Sequence, residues 1–166
     1  MIFLHSLSPQ KKTKCWLDFK NLDKTTVQTS LRELERLVAK YKIDKKRLIV
    51  ESGNYVCLGM FRAKGYYTSY YCPVNDERYL RTDAHKEEYM HLVNDAVKSG
   101  NVDAVSFDAE YYPLVKTAGT NADLLAWHVG NYSWWEFSFD RKLKPLLEDS
   151  QVKVILVSKH SRYNRK

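Results

Sequence analysis

Apolar residues fall along this chain in two rhythms that take turns. The short runs "CWLDFK", "RLIVES", "YYTSYYCP", "DAVSF", "DLLAWHV" and "VKVILV" are apolar or aromatic almost without a break. That is how strands read when both faces of a parallel sheet are covered. Between them lie stretches of helical period. From about Thr26 to Lys40, Val27, Leu31, Leu34 and Val38 recur at spacings of four, three and four, which makes one apolar stripe. Thr25, with Gln28 three residues on, has the form of a capping box at its start.

The punctuation fits the same scheme. Gly53 and Asn54 open a short helix through Phe61 that Gly65 can end. A loop from Pro73 to about Thr82 leads to a helix from Asp83 to Ser99, with Asp83 as cap and Gly100 as terminator. A weaker helical turn follows Pro113. A last helical segment near Trp134 to Leu147 is one that Pro145 should kink or end. Six strands alternating with helices predict a mainly parallel α/β sheet. No linker, repeat or low-complexity tract divides residues 1–166, so the expectation is a single α/β domain.

Composition changes this picture little. The 44% hydrophobic and 28% charged fractions are those of an ordinary globular domain. No apolar run approaches the roughly 18 residues of a membrane span, so the chain is not transmembrane. The opening "MIFLHSLSPQKK" lacks a long apolar core and a cleavage-like ending. The expectation is the cytoplasm by default, or secretion if an upstream segment is missing. Cys15, Cys57 and Cys72 lack metal-ligand spacing and read as free thiols. The net charge of +7 is concentrated in "PQKKTK", "KYKIDKKR" and the tail, without a nucleic-acid recognition motif, so no nucleic acid is expected. Anionic or phosphate-bearing substrates suit the same charge.

Candidate chemistry collects where strands end. The endings read Asp18 and Lys20, Glu51 and Ser52, Tyr70 and Tyr71, Asp108 and Glu110, His128 with Asn131, then Lys159 and His160. In parallel α/β folds the carboxyl ends of all strands face one side, where ligands bind. Asp18, set between Leu17 and Phe19, shares a strand face with Lys20, and Glu51 directly follows "LIV". A carboxylate in such surroundings pairs with a cation, binds a metal or keeps its proton. Other titratable residues read blandly: His85 and His91 are six apart on one helix and do not stack as ligands.

In order, these segments resemble a known group. "WLDFKN" is similar to the D/E-x-K strand of the glycerophosphodiester phosphodiesterase family, within the phosphatidylinositol-phospholipase-like barrels. "LIVESGN" resembles the next strand, "LLAWHVGN" the late W-T-V-N strand, and "VKVILVSKHSRY" occupies the place of the final one. The resemblance implies an incomplete (β/α) TIM-type barrel of about six parallel strands. It also implies metal-assisted cleavage of glycerophosphodiesters or lysolipids. Asp18 then falls in the slot of a ligand to a divalent metal, Mg or Ca, and Lys20 beside the reacting phosphate. His128 takes a catalytic place where threonine is usual. Trp127 matches the tryptophan that lines the substrate pocket. Apart from the resemblance, Tyr70, read as lying on its strand's polar face, and Glu51 are expected substrate contacts, with core packing as the alternative for the "YYTSYY" aromatics.

The family's H-R-G-like strand, E-x-D strand and histidine-ending third strand have no counterpart before residue 15. The expectation is therefore the C-terminal part of a barrel, with an N-terminal segment missing or an oligomer covering the open edge. The competing expectation is a non-catalytic interaction domain on the same scaffold.

Overall fold

The computed structural model describes residues 14–73, 78–130 and 143–159. Six strands, β1 (Cys15–Asp18), β2 (Leu48–Ser52), β3 (Tyr67–Tyr71), β4 (Ala104–Asp108), β5 (Asp123–Gly130) and β6 (Val152–Lys159), form one sheet. They lie side by side in sequence order and every pairing is parallel. The sheet curls into a half-barrel. Its connections carry α1 (Val27–Tyr41), α2 (Tyr55–Arg62), α3 (Arg78–Arg81), α4 (Asp83–Lys98), α5 (Tyr112–Thr117) and α6 (Lys144–Glu148). Among the described residues no helix is long and apolar enough to cross a membrane.

Alternation along each strand sorts the side chains onto two sides. Leu17, Val50, Tyr70, Val105, Phe107, Leu124 and Ala126 pack on the convex side with Leu31, Leu34, Leu58, Phe61 and Val93 of the helices. The concave side has a much smaller apolar cluster, Ile49, Ala104 and Leu125, with Trp16, Tyr67 and Val154 against it. The core is therefore the sheet–helix layer. The concave side is where polar residues on strands are tolerated.

The four-three-four stripe of α1 is buried as its spacing predicts, at Val27, Leu31, Leu34 and Val38. Its start differs. Thr26 is the N-cap but makes no side-chain cap bond. Instead the Asp23 carboxylate accepts from the amides of Thr25 and Thr26, both at 2.8 Å, and from both hydroxyls. At α4 the cap is Thr82, one residue before the expected Asp83, and its hydroxyl accepts from the His85 amide at 3.3 Å. Asn54 does cap α2, accepting from the Cys57 amide. Gly65 and Gly100 end their helices at φ +82° and +70°, which side chains with a Cβ resist.

Two further expectations are corrected. The segment from Pro73 to Thr82 contains α3, so it is not all loop. Pro145 lies in the first turn of α6, where its missing N–H costs no hydrogen bond, and it opens the helix rather than ending it. The part of the expected Trp134–Leu147 helix before residue 143 lies outside the described residues. Cys15, Cys57 and Cys72 are free thiols, the last two buried.

Candidate functional site

Register and parity together decide which strand-end residues meet. Asp18, Glu51, Ser69, Ala104 and Asp123 form one row of Cα partners across β1 to β5. The same parity puts Trp16, Tyr71, Ser106, Asp108 and Trp127 on the concave side as well. Asp18, Lys20, Glu51 and Trp127 thus belong to one rim, at the carboxyl ends of the strands. Tyr70 and His128 fall on the opposite parity. Tyr70 is buried in the sheet–helix core and meets Tyr55 of α2 edge-on at 5.6 Å. His128, buried, follows Leu124 and Ala126 on the convex side of β5.

Asp18 and Lys20 make an ion pair, Nζ to Oδ2 at 3.7 Å. The Lys20 side chain is 78% exposed and that of Asp18 35%, so solvent screens the pair strongly. The neighbouring carboxyl is very different. Glu51 is only 3% exposed. Burial pushes its pKa up to about 7, opposed mainly by a hydrogen bond donated by the Ser106 hydroxyl, with the Asp18 charge adding to the rise. Trp16 Nε1 and Ser69 Oγ also approach this carboxyl and draw its pKa down, although neither reaches full hydrogen-bond geometry. Glu51 is therefore a carboxyl that holds its proton close to neutral pH, beside the Asp18 carboxylate that pairs with Lys20.

Tyr71 joins the two ends of the rim. Its ring stacks on Trp127 at 5.0 Å between centroids and 9° between planes. Its hydroxyl pKa is raised first by burial and then by the charges of Asp18, Glu51 and Asp108. Three carboxyl groups thus lie within electrostatic reach of one phenol. Asp108 is partly committed to structure, since its Oδ1 accepts from the Glu110 amide at 3.0 Å in the turn after β4. Among the described residues no three His, Cys, Asp or Glu side chains converge to hold a metal ion.

Sequence reasoning missed Ser69, Ser106 and Trp16, and it placed Tyr71 at a strand end without giving it a role. The signal was present: each has the parity of Asp18 or Glu51 on its own strand. Reading that parity across strands needed the register, which sequence alone did not supply. Asn131 and His160 lie outside the described residues, and Lys159 is the last residue of β6, paired with Gly130. No protein-family model matches this sequence, and no curated protein matches it either.

Proposed function

We propose that the concave carboxyl-end rim binds and cleaves a phosphodiester of the glycerophospho or lysolipid kind, on an incomplete barrel of the TIM type. The observation that carries this reading is the Asp18–Lys20 pair standing beside a buried, near-neutral Glu51 and the Tyr71–Trp127 stack. A phosphodiester is an anion, so its site needs positive charge and little surplus negative charge. Lys20 supplies a compact ammonium. Glu51, protonated up to about pH 7, offers a hydrogen bond to an ester oxygen instead of repelling it. Tyr71 and Trp127 give an apolar wall for the carbon skeleton of the alcohol.

A divalent cation on Asp18 would add charge to offset that of the phosphoryl oxygens. The described residues do not complete a ligand set for one. Tyr70 packs in the sheet–helix core, and His128 is buried on the opposite parity of β5 from Trp127. The test is hydrolysis of glycerophosphocholine and lysophosphatidylcholine with added magnesium or calcium. Expected is turnover that Asp18→Ala and Lys20→Ala each lower by more than about tenfold. Turnover untouched by Asp18→Ala overturns its role, and no turnover on any phosphodiester overturns the reading.

A second reading, an interaction domain, has its own observation. Among the described residues β1 pairs only with β2 and β6 only with β5, so two strand edges are unpaired. This reading expects a stable oligomer by light scattering and no metal binding by calorimetry.

A further inference from the structure

At the other end of the strands lies a feature that the rim does not use. A hollow of about 390 Å³ opens among Lys46, Arg62, Gly65, Tyr66, Tyr67 and Asp103, at the amino ends of β2, β3 and β4. A five-residue strand separates it from the rim, on the order of 16 Å. Its surroundings are cationic. Lys45 lies over the Tyr66 ring at 4.9 Å and Lys14 over the Tyr67 ring at 5.8 Å. Lys64 is exposed beside Gly65.

The acids nearby are already engaged. Asp103 accepts from Arg62 Nε at 2.9 Å and from the Thr68 amide at 2.9 Å. Glu35 is bound by Lys45 at 2.8 Å and by the Tyr66 hydroxyl. Asp123 accepts from the Tyr67 hydroxyl at 2.7 Å and lies 3.8 Å from Lys153. Lys46 is exposed and makes no ion pair with a described residue, and its backbone amide donates to the Asp44 carboxylate at 3.0 Å. Arg62 also donates to the Gly100 carbonyl at 2.7 Å and keeps further N–H donors.

We propose that this hollow binds a phosphate-bearing anion, a phosphomonoester whose phosphate sits between Lys46 and Arg62. Phosphate suits it because the lining combines the guanidinium N–H donors that Arg62 has left with the exposed ammonium of Lys46. Gly65, at φ +82°, carries no side chain, and a Cβ there would meet nothing within 4 Å, so the opening stays clear. The site is separate from the rim and stands or falls without the phosphodiesterase reading.

The test follows backbone amide shifts of the full chain during titration with inorganic phosphate, against chloride at equal ionic strength. Expected are saturable shifts at Lys46 and Gly65–Tyr67, weakened by about fivefold in Lys46→Gln, as loss of one exposed charge contact implies. Lys46→Arg restores them. Because Lys46 makes no ion pair with a described residue, Lys46→Gln should melt with the wild type, which separates a binding loss from unfolding. A second arm measures sedimentation with phosphatidylcholine vesicles, with and without phosphatidic acid. Binding that requires phosphatidic acid assigns the phosphate to a lipid head group. Saturable inorganic phosphate without vesicle binding assigns it to a soluble ester. Equal shifts with chloride, shifts confined to Asp18–Lys20, or a Lys46→Gln variant that titrates like wild type overturn the proposal.

Discussion

The Ser106 hydroxyl on β4 donates to the Glu51 carboxyl on β2, reaching across the whole of β3. Ser106 Oγ also lies 3.2 Å from the Tyr70 carbonyl, so the hydroxyl is clamped between two strands. A buried carboxyl without such a donor would carry a large desolvation cost. With it, Glu51 is held in one orientation beside Asp18, and its proton affinity is set by the sheet.

Glu51 gives the molecule a defined pH response. Its pKa rises from 4.5 to about 7 on folding, so across that window the native state binds more protons than the unfolded one. Stability contributed by this group is complete below about pH 4.5 and is lost as pH rises through 7. The loss is roughly 2–3 kcal/mol after allowance for partial screening. Urea midpoints from pH 4.5 to 8 should fall in the wild type, and the fall should be shallower in Glu51→Gln. Ser106→Ala should move the titration upward, because it removes the principal bond that favours the ionised carboxyl. A parallel pair of curves for wild type and Glu51→Gln would show that Glu51 does not set the pH response.

The Tyr71–Trp127 stack predicts a different split. Both rings are half-buried, so their contact adds about 0.5–1.5 kcal/mol beyond area burial. Trp127→Leu should therefore cost about 1 kcal/mol in denaturant while leaving the fold intact. If the rim takes the alcohol of a phosphodiester, the same change should raise KM more than it lowers kcat, since the ring binds substrate and reacting state alike. An unchanged KM with a depressed kcat would contradict the wall assigned to it.

At the start of α1 the Asp23 carboxylate replaces the expected capping pair. Four donors from Thr25 and Thr26 hold its pKa at about 2, below the usual 3.8. The stability it contributes is present above pH 3.8 and is lost as pH falls through 2. Asp23→Ala should melt below the wild type at neutral pH, with the gap closing toward pH 2. Asp23→Asn, which keeps one acceptor oxygen, should fall between them. A gap that persists unchanged at pH 2 would assign the loss to something other than the charge.

The fold class was legible because near-continuous apolar runs such as "RLIVES" have few alternatives to a covered parallel strand, whereas strand order is not written in such runs. The α1 stripe was legible for a similar reason, four apolar positions at one helical spacing. Caps were less so: Asp23, Thr25 and Thr26 are all competent, and only the turn geometry chooses among them. The site was half legible. Asp18, Lys20, Glu51 and Trp127 reach one rim, but Tyr70 packs against α2 and His128 takes the opposite parity of β5. A strand end read as a polar cluster does not say which residue of each adjacent pair faces inward. Ser106 and Ser69 carry no charge and are silent in a sequence until register aligns them with Glu51.

The Asp18–Lys20 pair supplies the sharpest separation of structure from function. At 3.7 Å, with the lysine 78% exposed, the pair contributes about 0–1 kcal/mol, within the range of a screened surface contact. Asp18→Asn and Lys20→Gln should each leave the melting temperature within about 2 °C of wild type, as surface changes usually do. Their double mutant should show little coupling in stability. Phosphodiesterase turnover, by contrast, should fall in each single variant and fall little further in the double, because acid and lysine act on one phosphate. Matched losses of stability and turnover would mark the pair as a strand-end strut. Turnover lost at wild-type stability places the pair against the substrate.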